Sequence, residues 1–287
     1  IEAHVSNVGE TLRGTTLQSG DVTVHTTEHV LAALYASGID NAVLELDGPE
    51  VPILDGSALP FMSQIEEAGS TEQEADRRFF KVRKNISYRG EDGVEMLVVP
   101  LEEDEFKVTV MVDYNSPVLG TQHARMEHLG AFKEDIAGCR TFVFLKEVAS
   151  LAEQGLIQGG DIDNAVVLAE RAYSETEIKD IVQALGRDTL SGAAEQPDVV
   201  NPSDLRFPNE PARHKLLAIV GDLALTGRFI QGHLLAARPG HAANVAFAKE
   251  LAEVIRAQED LPDFRTDRES LMDINDIAAM LLSLIHI

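Results

Sequence analysis

The segment HTTEH, residues 25–29, places two histidines and a glutamate within five positions. Its pattern, H-x-x-E-H, is the zinc-binding motif of one class of peptidases. That site requires one continuous helix from His25 to beyond His29, because the two rings must lie one turn apart to bind one ion. Thr26 and Thr27 are typical of a helix cap and first turn, so we expect His25 to remain on the preceding strand and to be no ligand.

Glu28 and His29 can serve zinc chemistry without His25. On a helix, adjacent side chains point about 100° apart, so one can bind a metal while the other reaches a metal-bound water. Zinc hydrolysis needs two or three nitrogen or oxygen ligands, an open position for water and a nearby base. The segment therefore offers one ligand and one base, and a second ligand must come from elsewhere in the chain.

Two later segments carry the remaining candidates. RHKLLAIVGD presents an imidazole at His214, a cation at Lys215 and a carboxylate at Asp222 on a predicted long helix. RPGHAAN places His241 after Pro-Gly at a predicted helix start, where the helix N-terminus is open and electropositive. Taken singly, each of these groups is also typical of a helix cap or a solvated side chain.

The chain is acidic, with 48 Asp and Glu against 24 Lys and Arg and a net charge of −24. Nucleic acid is excluded as a general partner, because binding a phosphate backbone needs a basic face. An anionic small molecule would need a local basic cluster inside this acidic body. The single cysteine, Cys139, excludes a disulfide framework and suits the cytoplasm, where we expect the protein to act. No apolar run approaches the ~20 residues of a membrane helix, so no integral membrane segment is predicted.

Strand and helix patterns alternate along the chain and predict an α+β fold. Alternating or apolar runs predict strands at 42–46, 79–88, 95–100, 106–113, 140–144 and 230–237. Helical periodicity predicts helices after HTTEH and at 58–68, 146–154, 175–185, 209–226 and 242–257. The polar segment STEQEADRR, residues 70–78, is the best domain boundary. The chain begins without Met in what reads as a strand, so we expect a fragment.

Together these segments resemble one enzyme family. The match begins with NVGETLRGTTLQSGDVTVHTTEHVLAALYASGIDNAVLELDGPEVPILDGSALPF. It continues, in the family's order, through VDYNSPVLGTQ, CRTFVFLKEV, GGDIDNAVVL, RHKLLAIVGDLALTG and RPGHAANVAFAKEL. On these motifs the chain is similar to the zinc-dependent UDP-3-O-acyl-N-acetylglucosamine deacetylases, enzymes of the committed step of lipid A synthesis.

The resemblance implies an α+β fold of two similar two-layer α/β sandwich domains with the active site between them. Domain I would be N-terminally truncated and span residues 1–76, and domain II would span residues 77–258. The tail, residues 259–287, contains ESLMDINDIAAML, which resembles the opening of the β-hydroxyacyl-(acyl-carrier-protein) dehydratase that some bacteria fuse behind this deacetylase. An ordinary C-terminal amphipathic helix is the alternative for the tail.

The resemblance also implies roles in hydrolysis of the N-acetyl group of UDP-3-O-(3-hydroxyacyl)-N-acetylglucosamine. His29 and His214 would bind one Zn²⁺. Glu28 would be the general base that activates the metal-bound water. His241 would be the general acid that protonates the leaving amine, with Asp222 oriented towards it.

Four further residues are given roles by the same resemblance. Thr141 would help to stabilise the oxyanion, and Phe142 lies beside it in the same motif as a substrate contact. Lys215 and Arg238 would hold the anionic substrate, with Lys215 also among the catalytic groups. This basic pair would supply the local positive cluster that the acidic chain needs for a UDP-sugar.

The chain departs from the family at one position of the second metal motif. The family pattern is H-K-x-L-D, with His and Asp both binding zinc, whereas Ala218 stands here in the Asp position. Asp222 cannot substitute, because on a regular helix it lies about 12 Å along the axis from His214. We therefore expect weakened zinc binding and reduced deacetylase activity. The alternatives are a non-catalytic nucleotide-sugar binding protein of the same fold and an H-x-x-E-H zinc peptidase.

Overall fold

Helices and several sheets build the chain, so the predicted α+β class is confirmed. The computed structural model describes residues 1–91, 93–148, 164–184, 196, 198–199 and 205–259. The strands are β1 (Leu17–Ser19), β2 (Val22–Val24), β3 (Phe79–Lys81), β4 (Ile86–Arg89), β5 (Glu95–Val99), β6 (Phe106–Asp113), β7 (Thr121–Met126), β8 (Thr141–Phe144), β9 (Ala165–Ala169), β10 (Asp198–Val199) and β11 (Phe229–Ala237). The helices used below are α1 (Glu28–Ala36), α2 (Leu59–Ala68), α3 (Phe132–Asp135), α4 (Glu175–Ala184), α5 (Glu210–Ala224) and α6 (His241–Glu259).

The larger sheet is organised around β11, which has strands on both sides. Its order is β4-β5-β11-β6-β7, and β3 pairs with the first part of β11. β11 runs antiparallel to β5 and parallel to β6, with Leu234 opposite Val98 on one side and Val108 on the other. Alternate side chains of β6 are buried, as the two-residue period of a strand requires: Phe106, Val108, Val110 and Val112.

A smaller sheet has the order β10-β9-β8. β8 and β9 are parallel, whereas β9 and β10 are antiparallel. All residues of β9 are buried, which is the continuous apolar pattern of a strand covered on both faces. β1 and β2 form a separate antiparallel hairpin immediately before α1.

Helices α1 and α5 pack against each other, and α5 also contacts β6, β7 and β8. The approach is closest at Gly221 on α5. A Cβ atom added there would lie 2.1 Å from the backbone oxygen of Glu28, far inside van der Waals contact. Because glycine has no side chain, the two backbones can meet at this point. The start of α1 and the C-terminal half of α5 are thereby held together.

A buried ion pair ties the start of α5 to β8. Arg140, which precedes β8, and Glu210, the first residue of α5, are both buried. Nε of Arg140 donates to Glu210 Oε1 at 2.9 Å, and the backbone N–H of Arg140 donates to the same oxygen at 2.8 Å. The other carboxylate oxygen of Glu210 accepts from the backbone N–H of Arg206 at 2.8 Å. The pair therefore fixes where α5 begins relative to the smaller sheet.

Most predicted elements are confirmed to within a few residues, and three are wrong. The start of the chain, which reads as a strand, forms none: Val5–Asn7 are a short 3-10 helix, and the first strand is Leu17–Ser19. Residues 42–46 form no strand: they are exposed, and no strand of the described residues pairs with them. Alternation of apolar residues is therefore not sufficient to form a strand where no neighbouring strand offers hydrogen bonds. The predicted strand at 79–88 is two strands, because β3 pairs with β11 whereas β4 pairs with β5. The predicted helix at 146–154 lies beyond residue 148 outside the described residues.

Residues Ile1–Ala252 form one compact unit. A second unit, Glu253–Ile287, is described as far as Glu259, and those residues are helical. No helix within the described ranges is long and apolar enough to cross a membrane.

Replacing Gly221 by alanine tests the contact between α1 and α5. Helix propensity alone would make this change stabilising by about 0.8–1.0 kcal/mol. Because the new methyl group would meet the backbone oxygen of Glu28, we expect destabilisation by about 1–3 kcal/mol instead. Urea unfolding followed by circular dichroism measures the free energy of unfolding, and a Gly221→Ala protein more stable than the unaltered chain would contradict this packing.

Replacing Glu210 by glutamine removes the carboxylate that faces the buried Arg140 charge. We expect the free energy of unfolding to fall by about 3–5 kcal/mol, because the buried guanidinium of Arg140 loses the opposite charge of Glu210. Glu66→Gln is the matched control, since Glu66 forms an exposed pair with Lys133 and such pairs contribute less than about 1 kcal/mol. Equal losses in the two variants, measured by urea unfolding, would refute a special role for the buried pair.

Candidate active site

Helix α1 begins at Glu28, so Glu28 and His29 are its first two residues, and both are buried. Thr27 is the residue before the helix, as the sequence predicts. Its hydroxyl donates to the backbone oxygen of Thr15 at 2.7 Å, and its backbone N–H donates to the same oxygen at 3.1 Å. The helix start is therefore anchored by a neighbouring segment of chain and not by a side-chain cap of its own.

His25 lies outside the helix, as expected. Its backbone N–H donates to Pro49 at 2.8 Å, and its backbone oxygen accepts from Val51 at 3.1 Å. Its two ring nitrogens lie 2.9 Å from the hydroxyl of Thr16 and 3.5 Å from that of Thr23. An H-x-x-E-H zinc site requires one continuous helix that includes His25. Helix α1 begins only at Glu28, so this site is not formed.

His29 and His214 come together from α1 and α5, with ring centroids 5.3 Å apart and ring planes at 67°. Within the described part of the chain, both ring nitrogens of His29 and Nδ1 of His214 are buried without a hydrogen-bond partner. Such atoms are rare and call for an explanation. Both imidazoles therefore fit a metal ion.

Burial favours the neutral form of both of these imidazoles. The pKa of His29 is lowered by desolvation, which outweighs the opposing charge of Glu28. The pKa of His214 is lowered further, first by burial and then by His29 and the neighbouring cation of Lys215. A neutral imidazole is the form that can donate a nitrogen lone pair to a metal.

A second group is centred on the buried carboxylate of Asp222. Its Oδ1 accepts from the hydroxyl of Thr15, and its Oδ2 accepts from Nδ2 of Asn244 at 2.8 Å. His241 Nδ1 also lies 3.0 Å from Oδ2. Because a carboxylate can only accept, Nδ1 of His241 carries the hydrogen of this bond. The other ring nitrogen, Nε2, faces the carboxylate of Glu28, 3.9 Å away.

The pKa of His241 is raised, whereas the pKa of Lys215 is lowered. Burial lowers the pKa of His241, but the carboxylates of Asp222 and Glu28 raise it by more, so that the pKa lies above its ordinary value. Burial lowers the pKa of Lys215 below its ordinary value, although the same two carboxylates oppose the shift. The site thus combines two imidazoles whose lowered pKa values favour the neutral form with a third that holds a proton more readily.

Phe142 on β8 forms an apolar wall beside the histidine pair. Its ring meets that of His214 edge to face, with centroids 6.2 Å apart and planes at 88°. Nζ of Lys215 lies 5.4 Å from the centroid of the same ring. Tyr114 packs against the ring of Phe142 at 5.4 Å. Phe142 therefore lies beside His214 and close to Lys215, and the roles of Phe142 and Lys215 towards a substrate stay predictions.

Thr141 and Arg238 are held by other parts of the chain. The backbone N–H of Thr141 donates to Gly56 at 2.8 Å, and its side chain is half-buried. The guanidinium of Arg238 donates to the carboxylate of Asp113 at 3.0 Å. Thr141 still lies next to the wall residue Phe142 in β8, whereas Arg238 is engaged by a carboxylate. Their roles towards a substrate stay predictions.

Ala218 lies one turn after His214 on α5 and is buried. Its methyl group offers no donor atom. Over the residues that the structure describes, no group of three or more His, Cys, Asp or Glu side chains is arranged to hold a metal ion. The histidine pair is therefore one protein ligand short of the three found in typical catalytic zinc sites.

Thr15 and Asn244 are site residues that the sequence patterns did not predict. Asn244 follows His241 by three positions on α6, so helical spacing could have placed it on the same face. Thr15 gives no comparable signal, because its bond to Asp222 joins residues 207 positions apart.

The chain is similar to known proteins over most of its length. A family model described as LpxC: UDP-3-O-acyl N-acetylglycosamine deacetylase matches residues 1–180 and 191–253. The bifunctional enzyme LpxC/FabZ of Chlorobaculum tepidum is 43% identical over 285 residues, which are 98% of this chain and 61% of that protein. The corresponding bifunctional enzyme of Bacteroides thetaiotaomicron is 42% identical over 283 residues, 98% of this chain and 60% of that protein.

A relative with a single-function name is also similar. The UDP-3-O-acyl-N-acetylglucosamine deacetylase of Citrifermentans bemidjiense is 37% identical over 252 residues, 88% of this chain and 73% of that protein. The chain spans about three fifths of the length of the bifunctional relatives. The family model covers the segments that carry the histidine pair and the Asp222–His241 group. The chain therefore belongs to the UDP-3-O-acyl N-acetylglycosamine deacetylase family.

Proposed function

We propose that this chain hydrolyses the N-acetyl group of UDP-3-O-(3-hydroxyacyl)-N-acetylglucosamine, the committed step of lipid A biosynthesis, in the cytoplasm. The observation that carries the proposal is the buried pair of His29 and His214, in which both ring nitrogens of His29 and Nδ1 of His214 find no hydrogen-bond partner among the described residues. Beside it stands the group of Glu28, Asp222 and His241. Amide hydrolysis needs an activated water, a base and an acid, and these residues supply a candidate for each need.

The cofactor proposed for the histidine pair is Zn²⁺. When bound, zinc supplies Lewis acidity, which polarises a carbonyl group and lowers the pKa of a bound water. His29 and His214 would hold it. The substitution at Ala218 supports weakened binding and an impaired enzyme, because the ion would lack a carboxylate that balances its charge.

Glu28 is the proposed base and His241 the proposed acid. The carboxylate of Glu28, oriented by the backbone N–H of Thr15 at 2.9 Å, would take a proton from the attacking water. Nε2 of His241 would give a proton to the amine nitrogen as the amide C–N bond breaks, while Asp222 holds the hydrogen on Nδ1. One water is consumed, and the products are acetate and the free amine.

The substrate contacts proposed are Phe142, Thr141, Lys215 and Arg238. Lys215 and Phe142 already line one side of the histidine pair, so a UDP-sugar bound there would meet a cation and an aromatic ring together. Lys215 and Arg238 would bind its negative charge. Thr141 would stabilise the oxyanion through its hydroxyl.

The proposed organisation follows the family resemblance: two similar two-layer domains, residues 1–76 and 77–258, with the site between them. Glu28 and His29 would come from the first domain, and His214 and His241 from the second. Residues 260–287 of the tail lie outside the described residues. The alignment of the bifunctional relatives over 98% of the chain supports the interpretation of the tail as the opening of a dehydratase segment.

A non-catalytic nucleotide-sugar binding protein is the second candidate, and Ala218 is the observation that favours it. Calorimetry with UDP and an acetate-release assay with the acylated UDP-sugar separate the two. Acetate release by this chain would support the enzyme, whereas acetate release by its Ala218→Asp variant alone would show that this chain has lost the activity through Ala218. Binding of UDP without acetate release from either protein would support the binding protein.

Restoring a carboxylate at position 218 is expected to strengthen zinc binding. In the Ala218→Asp variant, the zinc dissociation constant should fall by at least about tenfold, the equivalent of about 1.4 kcal/mol, because a charged ligand follows His214 by one turn. Equilibrium dialysis with metal analysis measures it, and acetate release should rise in parallel. Ala218→Asn is the matched control of similar shape without the charge. Equal zinc content and turnover in the unaltered chain and Ala218→Asp would sink the hypothesis.

Removing the base is expected to stop catalysis without removing the metal. With Ala218→Asp already in place, Glu28→Gln should lower kcat by about 10²–10⁴-fold while zinc content stays unchanged. Glu50→Gln is the control, because Glu50 is an exposed carboxylate near the same helix start that accepts from the Thr26 hydroxyl at 2.7 Å. Loss of zinc from Glu28→Gln would identify Glu28 as a ligand and not the base.

A further inference from the structure

Thr15 is a fully buried residue that lies between the two carboxylates of the site. Its backbone N–H donates to Oε2 of Glu28 at 2.9 Å. Its hydroxyl donates to Oδ1 of Asp222. The same hydroxyl oxygen lies 3.3 Å from Nδ1 of His241. One residue thus contacts the proposed base, the proposed acid and the carboxylate that orients the acid.

The backbone of Thr15 is itself fixed. Its carbonyl oxygen accepts from both the hydroxyl and the backbone N–H of Thr27, the residue immediately before α1. Because Glu28 is the next residue after Thr27, Thr15 cannot move relative to Glu28 without breaking these bonds. The hydroxyl of Thr15 therefore extends a rigid connection from the start of α1 to α5 and to the first residue of α6.

The imidazole of His241 lies between two groups that Thr15 binds. Nδ1 faces Asp222 and the Thr15 hydroxyl, and Nε2 faces Glu28. Without the hydroxyl, Oδ1 of Asp222 would lose a donor in a buried position, which is costly for a carboxylate. We expect the carboxylate to rotate towards its remaining donors, which would carry the hydrogen-bonded imidazole with it.

We propose that Thr15 is a positioning residue for the acid–base pair, fixing the orientation of His241 relative to Glu28 without touching the substrate. The reaction that the pair serves is the proposed function, and this inference rests on it for its catalytic meaning. The hydroxyl of Thr15 is the essential group. Serine at position 15 would keep the hydroxyl, whereas valine would keep the shape of the side chain and lose the hydroxyl.

The chain offers a matched control in the adjacent residue. Thr16 is also buried, and its hydroxyl lies 2.9 Å from the ring of His25, away from the acid–base pair. Thr16→Val therefore makes the same chemical change one position along. The four proteins to compare are the unaltered chain, Thr15→Val, Thr15→Ser and Thr16→Val.

The first measurement is independent of catalysis. With ¹⁵N-labelled histidine at one fixed neutral pH, long-range proton–nitrogen spectra report which nitrogen of His241 carries hydrogen, with the signals assigned by His241→Asn. We expect Nδ1 to be protonated and protected from exchange in the unaltered chain, Thr15→Ser and Thr16→Val. In Thr15→Val, the His241 signals should shift and the Nδ1 hydrogen should exchange faster. Unchanged His241 signals in Thr15→Val would overturn the proposal.

Circular dichroism will show whether Thr15→Val folds. If it does not fold, a measurement on the unaltered chain tests the proposal instead. The buried hydroxyl hydrogen of Thr15 should then be visible and slow to exchange in the unaltered protein. A His241 ring protonated only at Nε2, or a Thr15 hydroxyl that exchanges as fast as a solvated one, would contradict the geometry.

The second measurement is kinetic and uses the Ala218→Asp background. Thr15→Val should lower kcat by about 10–100-fold, as removal of groups that orient active-site residues typically does, with KM unchanged. Thr15→Ser and Thr16→Val should match the background. A Thr15→Val protein with unchanged kcat, or one altered only in KM, would refute the positioning role. If the background itself releases no acetate, the proposed function fails, whereas the histidine spectra still decide whether Thr15 positions His241.

Discussion

The contact between α1 and α5 at Gly221 is the constraint on which the site depends. Gly221 lets the backbone of α5 meet the backbone oxygen of Glu28, and the side chains of Glu28 and His29 are then placed by the start of α1 alone. His214 precedes Gly221 by two turns on α5, so helical periodicity turns both towards α1. Ala218 belongs to the same face, which explains how an alanine there bears directly on the histidine pair. A single close approach thus decides the distance between two imidazoles that lie far apart in sequence.

Sequence patterns that span a few residues predicted most of the helices and strands, but only some of the residues that meet at the site. The threonines before Glu28 placed the start of α1, and alternation placed β6, because both signals act over a few residues. Residues 42–46 show the limit of this kind of prediction. Alternation of apolar residues indicates which side chains would share a face, but it does not indicate whether a neighbouring strand is there to pair with them. Thr15 shows the same limit at the site. Its hydroxyl and backbone act on partners from three separate elements, and no spacing rule connects them.

Ala218 removes a side chain with donor atoms from the site but leaves helix α5 and the neighbouring site residues in place. Alanine is a good helix former and is readily buried, so α5 continues through it and still presents His214, Lys215 and Asp222. The hydrogen bonds around Asp222 and His241 do not involve position 218. The difference from the family motif is therefore confined to one missing carboxylate, and the arrangement of Glu28, Asp222 and His241 does not depend on it.

The bonds around Thr15 have a consequence for how the protein is made. Thr15 meets His241 across 226 positions and Asp222 across 207, so the site closes one of the longest loops in the chain. Loops of that length are closed late, after local helices and hairpins have formed. During synthesis, the residues near the N-terminus must wait for the segment around residue 241 to leave the ribosome. A nascent chain that ends before residue 241 would therefore lack His241, which faces Glu28 and Asp222, and this group of residues is complete only when nearly the whole unit has been translated.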